Sequence, residues 1–148
     1  MAKIIVFDMD GTIADLYGIP GWLDELRAES EKPFQVARPL YDTQELNAEV
    51  AQLKKKGYRI VITSWLPMGA SPQFKEKVRN AKIDWLEEHD FDYDEIHLIK
   101  YGTTKANSTR KKGKPQILVD DNARVRKGWR LGKTIDANKC ILTELRKL

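Results

Sequence analysis

The sequence contains a single cysteine, Cys140, and has no long run of apolar residues. One cysteine excludes an internal disulfide framework and fits a reducing compartment. We expect Cys140 to be a small apolar residue of the last helix. No segment reaches the ~20 apolar residues of a membrane-spanning helix, and residues 1–3 lead into too short an apolar run for a secretory signal. These absences predict a cytoplasmic protein with no membrane contact.

Histidine is also scarce, since His89 and His97 are the only two. Neither forms a Cys/His cluster with the spacing of zinc ligands, so we expect both to be structural. The chain of 148 residues is long enough to bury the core of one domain without staples.

Acidic residues are few in the last third of the chain. Residues 100–148 carry 14 Lys and Arg against 4 Asp and Glu, whereas residues 1–99 carry 12 against 18. A basic face attracts phosphorylated ligands, from nucleotides to nucleic acid. A solvated loop and helix surface is the alternative. The basic side chains of this region include Lys100, Lys105, Arg110, Lys111, Lys112, Lys114, Arg124, Arg126, Lys127, Arg130 and Lys133.

The most informative stretch is residues 4–12, where four apolar residues are followed by Asp8-Met9-Asp10-Gly11-Thr12. An apolar run without alternation predicts a strand buried on both faces, as in a parallel sheet covered by helices. Two carboxylates at the carboxyl end of such a strand lie where open α/β sheets bind ligands. They suit a divalent cation or acid and base chemistry. A turn rich in Asp and Gly is the alternative.

Strand and helix patterns alternate through the rest of the chain, which predicts a parallel sheet with right-handed crossovers. Asp42 has the features of an N-cap, because Glu45 follows three residues later. Ser71 before Pro72 marks another helix start. We expect residues 13–20 to be a loop and 31–41 to be irregular. Helices are predicted at 22–30, from Asp42 to a stop at Gly57, from Pro72 through at least Trp85, at about 123–131 and at 140–147. The predicted strands are 59–63, 96–99, 117–119 and a short one near 134–135. Residues 100–115 are expected to be a basic loop or weak helix.

The stretch Asp8-Met9-Asp10-Gly11-Thr12 resembles the first motif of the haloacid dehalogenase (HAD) superfamily of phosphohydrolases. Thr63, at the end of the second strand, and the pair Asp120-Asp121, at the end of the fourth, resemble later motifs of the same family. The resemblance implies a Rossmann-like three-layer α/β/α fold with a parallel sheet in the order 3-2-1-4-5. It also implies one domain, with a core of residues 1–15 and 42–148 and a small helical cap at about 16–41.

The resemblance implies a role for each matching residue. Asp8 matches the nucleophile that becomes an aspartyl phosphate, and Asp10 matches the general acid and base. Thr63 matches the hydroxyl that binds the transferring phosphoryl group. A motif-three lysine is expected before the fourth strand, where Lys100, Lys105 and Lys114 all qualify. We favour Lys105, because a loop long enough to return to the strand ends precedes it.

A Mg²⁺ cofactor is also implied, since several carboxylates and a phosphate would repel one another without a cation. The metal ligands implied are Asp8, Asp10 through its carbonyl, Asp120 and Asp121, and which acid of the last pair binds directly stays open. The phosphate and substrate contacts expected are Met9, Gly11, Thr12, Ser64 and Trp65.

These roles predict a Mg²⁺-dependent phosphomonoester hydrolase acting on a small phosphorylated substrate. A nucleotide is the first predicted substrate, because Tyr17, Trp22, Phe34 or Trp65 could stack on a base. The motifs also resemble those of 5′(3′)-deoxyribonucleotidases. A nucleic-acid 3′ end is the second, as in the phosphatase half of polynucleotide kinase-phosphatases, since basic grooves with aromatic residues suit single strands. A phosphotransferase or mutase and a non-catalytic phosphate-binding module are further alternatives.

Overall fold

The computed structural model describes residues 3–108 and 116–148. Lys114 and the basic residues Arg110, Lys111 and Lys112 lie outside the described residues, as does part of the predicted loop at 100–115. In chain order the elements are β1 (Lys3–Phe7), β2 (Ala14–Asp15), α1 (Trp22–Arg27), α2 (Lys32–Val36), β3 (Arg38–Pro39), α3 (Thr43–Lys55), β4 (Tyr58–Trp65), α4 (Pro72–Glu88), β5 (Glu95–Ile99), α5 (Lys105–Ser108), β6 (Gln116–Asp120), α6 (Ala123–Gly128), β7 (Thr134–Asp136) and α7 (Ile141–Arg146).

Five parallel strands form the main sheet in the order β5-β4-β1-β6-β7. Counted along this sheet alone, the order is 3-2-1-4-5, so the predicted topology is confirmed. The apolar run of β1 is buried on both faces, also as predicted. Ile5 and Phe7 pack in a core with α3 and α7, whereas Ile4 and Val6 pack in a second core with Trp129, which follows α6.

Two helix starts follow the capping chemistry read from the sequence. The Asp42 carboxylate accepts a hydrogen bond from the Glu45 N–H at 3.0 Å, and the Ser71 hydroxyl accepts one from the Phe74 N–H at 3.2 Å. Trp85 is buried, as expected for the apolar stripe of α4. Since both caps sit ahead of helices that cover the sheet, they fix where each crossover begins.

Several expectations were wrong in detail. Residues 31–41, predicted to be irregular, contain α2 and the short strand β3, which pairs antiparallel with β2 inside the predicted loop. Pro33 does not disrupt α2, because it lies in the first turn, where no N–H is needed. The helix predicted at 123–131 ends at Gly128. Cys140 is exposed and precedes α7 rather than packing within it.

Candidate active site

Three candidate residues lie at the carboxyl ends of adjacent strands of the sheet. Phe7 pairs with Ile62 of β4 and with Val119 of β6, so the residue after each continues the same row: Asp8, Thr63 and Asp120. The Asp8 N–H donates to the Val119 carbonyl at 2.9 Å. The strand order thus brings together residues separated by more than 50 positions in the sequence.

Lys105 lies between two of these carboxylates. Its Nζ donates to Asp8 Oδ1 at 2.7 Å and to Asp120 Oδ2 at 2.8 Å. The Thr12 hydroxyl donates to the other Asp8 oxygen, Oδ2, at 3.0 Å. Burial opposes the charge on Lys105, but attraction to Asp8 and Asp120 outweighs it and raises the pKa of Lys105. The ammonium therefore stays charged at neutral pH, while Lys100, the alternative at the end of β5, is exposed.

Asp8, Asp120 and Asp121 form an acidic cluster. Each offers one carboxylate oxygen, and these oxygens lie within 4.8 Å of one another. Burial, together with the charge of Asp8, raises the pKa of Asp121 to about 8, and the same two causes raise the pKa of Asp120. Crowded carboxylates of this kind are suited to a hard divalent cation with oxygen ligands. The arrangement fits the magnesium site that the sequence implied, although the Asp10 carboxylate faces elsewhere.

The Asp10 carboxylate binds a lysine that the sequence did not single out. Lys82 of α4 donates from Nζ to Asp10 Oδ2 at 2.9 Å, and its side chain is completely buried. Burial raises the pKa of Asp10, and the charge and hydrogen bond of Lys82 oppose that rise. Asp10 remains at the wall of the main pocket, so its other oxygen, Oδ1, is the one left for a ligand.

Gly11 has a backbone conformation and surroundings that suit only glycine. Its φ is +79°, and a Cβ would lie 2.8 Å from the Tyr17 ring and closer still to the Asp121 carboxylate. The absence of a side chain at Gly11 therefore lets the loop after β1 approach the acidic cluster.

The two hydroxyls near the end of β4 differ in their hydrogen-bond partners. Thr63 Oγ1 is buried with no hydrogen-bond partner in the described part of the chain. Ser64 Oγ, also buried, accepts from Lys82 at 2.7 Å. The Met9 side chain packs in the core, so a ligand could be contacted only by the backbone of Met9. A buried hydroxyl without a partner is unusual in a folded protein, and Thr63, unlike Ser64, is not among the residues that line the main cavity.

A cavity of about 640 Å³ opens above Asp8, with Asp10, Lys105 and the acidic cluster at its base. Six aromatic side chains line it, and four of them form two pairs. Tyr17 and Trp22 meet edge to face with ring centroids 5.1 Å apart, and Trp65 and Tyr101 lie 5.0 Å apart. The sequence did not single out Tyr101 as a site residue.

Phe34 also lines the cavity, but it is only 4% exposed. Its ring packs with Leu66, Phe74 and Val78, and the Lys82 ammonium lies 5.1 Å from the ring centroid. Phe34 is thus a packing residue, and the expectation that it could stack on a base is not supported by its position.

The parallel sheet and the row of strand-end residues define an α/β protein with a carboxylate-rich site at the carboxyl edge of its sheet. Two solved structures are similar over nearly the whole chain. One is a D,D-heptose 1,7-bisphosphate phosphatase from Burkholderia thailandensis, with 13% identity, a TM-score of 0.56 and 99% of each chain covered. The other is a D,D-heptose 1,7-bisphosphate phosphatase from B. bronchiseptica complexed with magnesium and phosphate, with 11% identity, a TM-score of 0.57 and 98% of each chain covered.

At this identity the two structures establish the fold that the resemblance implied. No protein-family model matches the chain, and no curated protein sequence is significantly similar to it. Within the described residues, no helix is long and apolar enough to cross a membrane.

Proposed function

We propose that the protein is a Mg²⁺-dependent phosphomonoester hydrolase that forms an aspartyl phosphate on Asp8. The observation that carries this proposal is the setting of Asp8 at the base of the cavity. One of its oxygens is bonded by Lys105 and the other by Thr12, with Asp10 two residues away. The two similar structures, both of phosphatases, support the proposal.

In the proposed reaction, a carboxylate oxygen of Asp8 attacks phosphorus while the bond from phosphorus to the leaving oxygen breaks. Asp10 gives its proton to that oxygen, so an alcohol departs. Asp10, now ionised, takes a proton from water, and the resulting hydroxide attacks the phosphorus of the aspartyl phosphate. The bond to Asp8 breaks, inorganic phosphate leaves, and both carboxyl groups return to their starting state.

The cations and hydroxyls of the site have supporting roles. Lys105 compensates the negative charge of Asp8 and of the incoming phosphoryl group. In this proposal the unpaired Thr63 hydroxyl forms a hydrogen bond with a phosphoryl oxygen. Asp8, Asp120 and Asp121 would hold the metal. When bound, Mg²⁺ offsets the charge of these carboxylates and of the phosphate.

A nucleotide is the substrate we propose. The cavity volume of about 640 Å³ lies in the range of ~300–1,000 Å³ typical of small-molecule sites. Tyr17, Trp22, Trp65 and Tyr101 provide aromatic faces in the same cavity as Asp8. We propose that residues 16–41 act as a small cap that supplies part of this wall.

The end of a nucleic acid strand is the second candidate. It is favoured by Arg124, which is exposed and lines a smaller cavity of about 180 Å³ together with Lys105 and Trp65. A nucleic acid strand that leaves the main cavity past Trp65 would contact the Arg124 side chain. A single nucleotide would be too short to make this contact.

The test is a substrate screen of the purified protein with Mg²⁺. The panel contains an aryl phosphate, 5′- and 3′-nucleotides, sugar phosphates and a 3′-phosphorylated oligonucleotide, and Asp8→Asn is the control. We expect nucleotide hydrolysis that is lost in Asp8→Asn and abolished by a chelator, with the far-UV circular dichroism of the variant unchanged.

The ester that is hydrolysed fastest distinguishes the two candidate substrates. If the 3′-phosphorylated oligonucleotide is preferred, the nucleotide proposal is replaced by a nucleic-acid end. Equal activity of wild type and Asp8→Asn would remove Asp8 as the nucleophile. If no ester is hydrolysed, the phosphatase proposal fails and a phosphate-binding module remains.

A further inference from the structure

Lys82 is the most deeply buried cation outside the Asp8 site in the described residues. Its Nζ has three acceptors: Asp10 Oδ2 at 2.9 Å, Ser64 Oγ at 2.7 Å and the Trp65 carbonyl at 2.9 Å. These acceptors match the three protons of an ammonium group. With every donor used, Lys82 is held in one place and has no donor left for a substrate.

We propose that Lys82 is a positioning residue for the reaction, which fixes the direction of the Asp10 carboxylate for proton transfer. This inference rests on the proposed function. Because Lys82 holds Asp10 Oδ2, the oxygen that gives the proton to the leaving group is Oδ1. Lys82 does not touch the substrate and acts only through Asp10.

The anchor points of Lys82 come from separate parts of the chain. Ser64 and Trp65 are at the end of β4, which pairs with β1, the strand that Asp8 follows, and Lys82 itself belongs to α4. A flexible lysine bonded to one carboxylate alone would restrict it little. Bonds to the Ser64 hydroxyl and the Trp65 carbonyl join Asp10 to the sheet, so the distance from Asp10 to Asp8 is set by the rigid core.

The test uses Lys82→Met, which keeps the length of the side chain and removes its charge and donors. Lys77→Met is the matched control, because Lys77 is an exposed lysine of the same helix. Each variant is assayed with a nucleoside monophosphate, or with a sugar phosphate if no nucleotide is hydrolysed, and with dinitrophenyl phosphate. The alkyl ester needs a proton on its leaving oxygen, whereas dinitrophenolate departs as a stable anion.

We expect Lys82→Met to lower kcat for the alkyl ester by about 100-fold, at the lower end of the usual contribution of general acid catalysis, with KM little changed. In rapid mixing with dinitrophenyl phosphate, the burst that reports phosphorylation of Asp8 should stay within a few fold of wild type. The steady rate after the burst should fall, because Asp10 must still activate water. Lys77→Met should behave as wild type in both assays.

A double-mutant cycle with Asp10→Asn separates positioning from a general effect on the fold. If Lys82 acts through Asp10, Lys82→Met adds little to the loss already caused by Asp10→Asn. Equal losses for both esters, or additive losses in the cycle, would overturn this inference and leave the proposed function standing. Wild-type protein that hydrolyses neither ester would remove the proposed function and this inference with it.

If Lys82→Met does not fold, Ser64→Ala provides a second test, because it removes one acceptor that fixes the ammonium. The same selective loss on the alkyl ester, in a weaker form, supports the inference. A loss of the same size on both esters contradicts it.

Discussion

Replacing Lys105 by Met should destabilise the protein when no divalent cation is present. Lys105 is the cation between Asp8 and Asp120, and the side chains of all three residues are buried. Met keeps the apolar stem of the side chain but removes both hydrogen bonds. Asp8, Asp120 and Asp121 would then share one small volume with no positive charge among them.

The magnitude follows from the burial of the pair. Removing one partner of a buried ion pair typically costs about 3–5 kcal/mol, because the remaining charge stays desolvated. Folded domains of this kind are stable by only about 5–15 kcal/mol, so the variant should lose a large part of its stability. A cation bound by the three carboxylates stabilises the folded state by mass action. Mg²⁺ should therefore restore part of the loss.

Urea unfolding of wild type and Lys105→Met, in a chelator and in Mg²⁺, measures both effects. Lys100→Met is the control, because Lys100 is an exposed lysine that was also a candidate for the motif-three position. A loss in the chelator no larger than that of Lys100→Met would refute the reasoning. So would an equal loss with and without Mg²⁺, since the cation would then not replace the charge of Lys105.

Two further perturbations test the acidic cluster. Burial and the charge of Asp8 raise the pKa of Asp121 from 3.8 to about 8, so the folded protein keeps a proton that the unfolded chain releases. Without metal, the free energy of unfolding should therefore fall as the pH rises between these values. Unfolding measured across that pH range should show a smaller dependence on pH in Asp121→Asn, or when Mg²⁺ is added. An unchanged pH dependence in Asp121→Asn would contradict the raised pKa of Asp121. Gly11→Ala should weaken Mg²⁺ binding measured by calorimetry, because the new Cβ would meet the Asp121 carboxylate. Gly21→Ala carries a similar backbone strain of ~1–2 kcal/mol but meets nothing within 4 Å, so equal Mg²⁺ affinities of the two variants would contradict the prediction.

The sheet could be predicted from the sequence because each strand carries its own local signal. A run such as that of β1 is apolar without alternation, and helix starts such as Asp42 and Ser71 have caps that act over three residues. The insertion was harder, because α2 and β3 are short and Pro33 and Pro39 suggest irregular chain. Whether these two short elements form depends on tertiary contacts, because Phe34 packs beside α4 and Arg38–Pro39 pairs with β2.

The position of site residues was predictable where a motif combined residue type with a strand end, as for Asp8 and the acid pair at the end of β6. Lys82 carried a weaker signal, since it lies four residues after Val78 and so on the buried side of α4. A lysine at such a position requires a partner, but the sequence could not say which carboxylate would supply it. Asp10 is 72 positions away, and only the folded sheet brings the two together.

The contact between Phe34 and Lys82 has a consequence for exchanging the insertion between proteins. Phe34 belongs to α2, in the segment that forms one wall of the cavity, and its ring lies against the lysine that holds Asp10. A chimera that replaces residues 16–41 would alter the wall and also remove the ring packed against Lys82, which holds Asp10, the proposed acid and base. Transplanted specificity would therefore keep its catalytic rate only if an aromatic residue is retained at the position of Phe34.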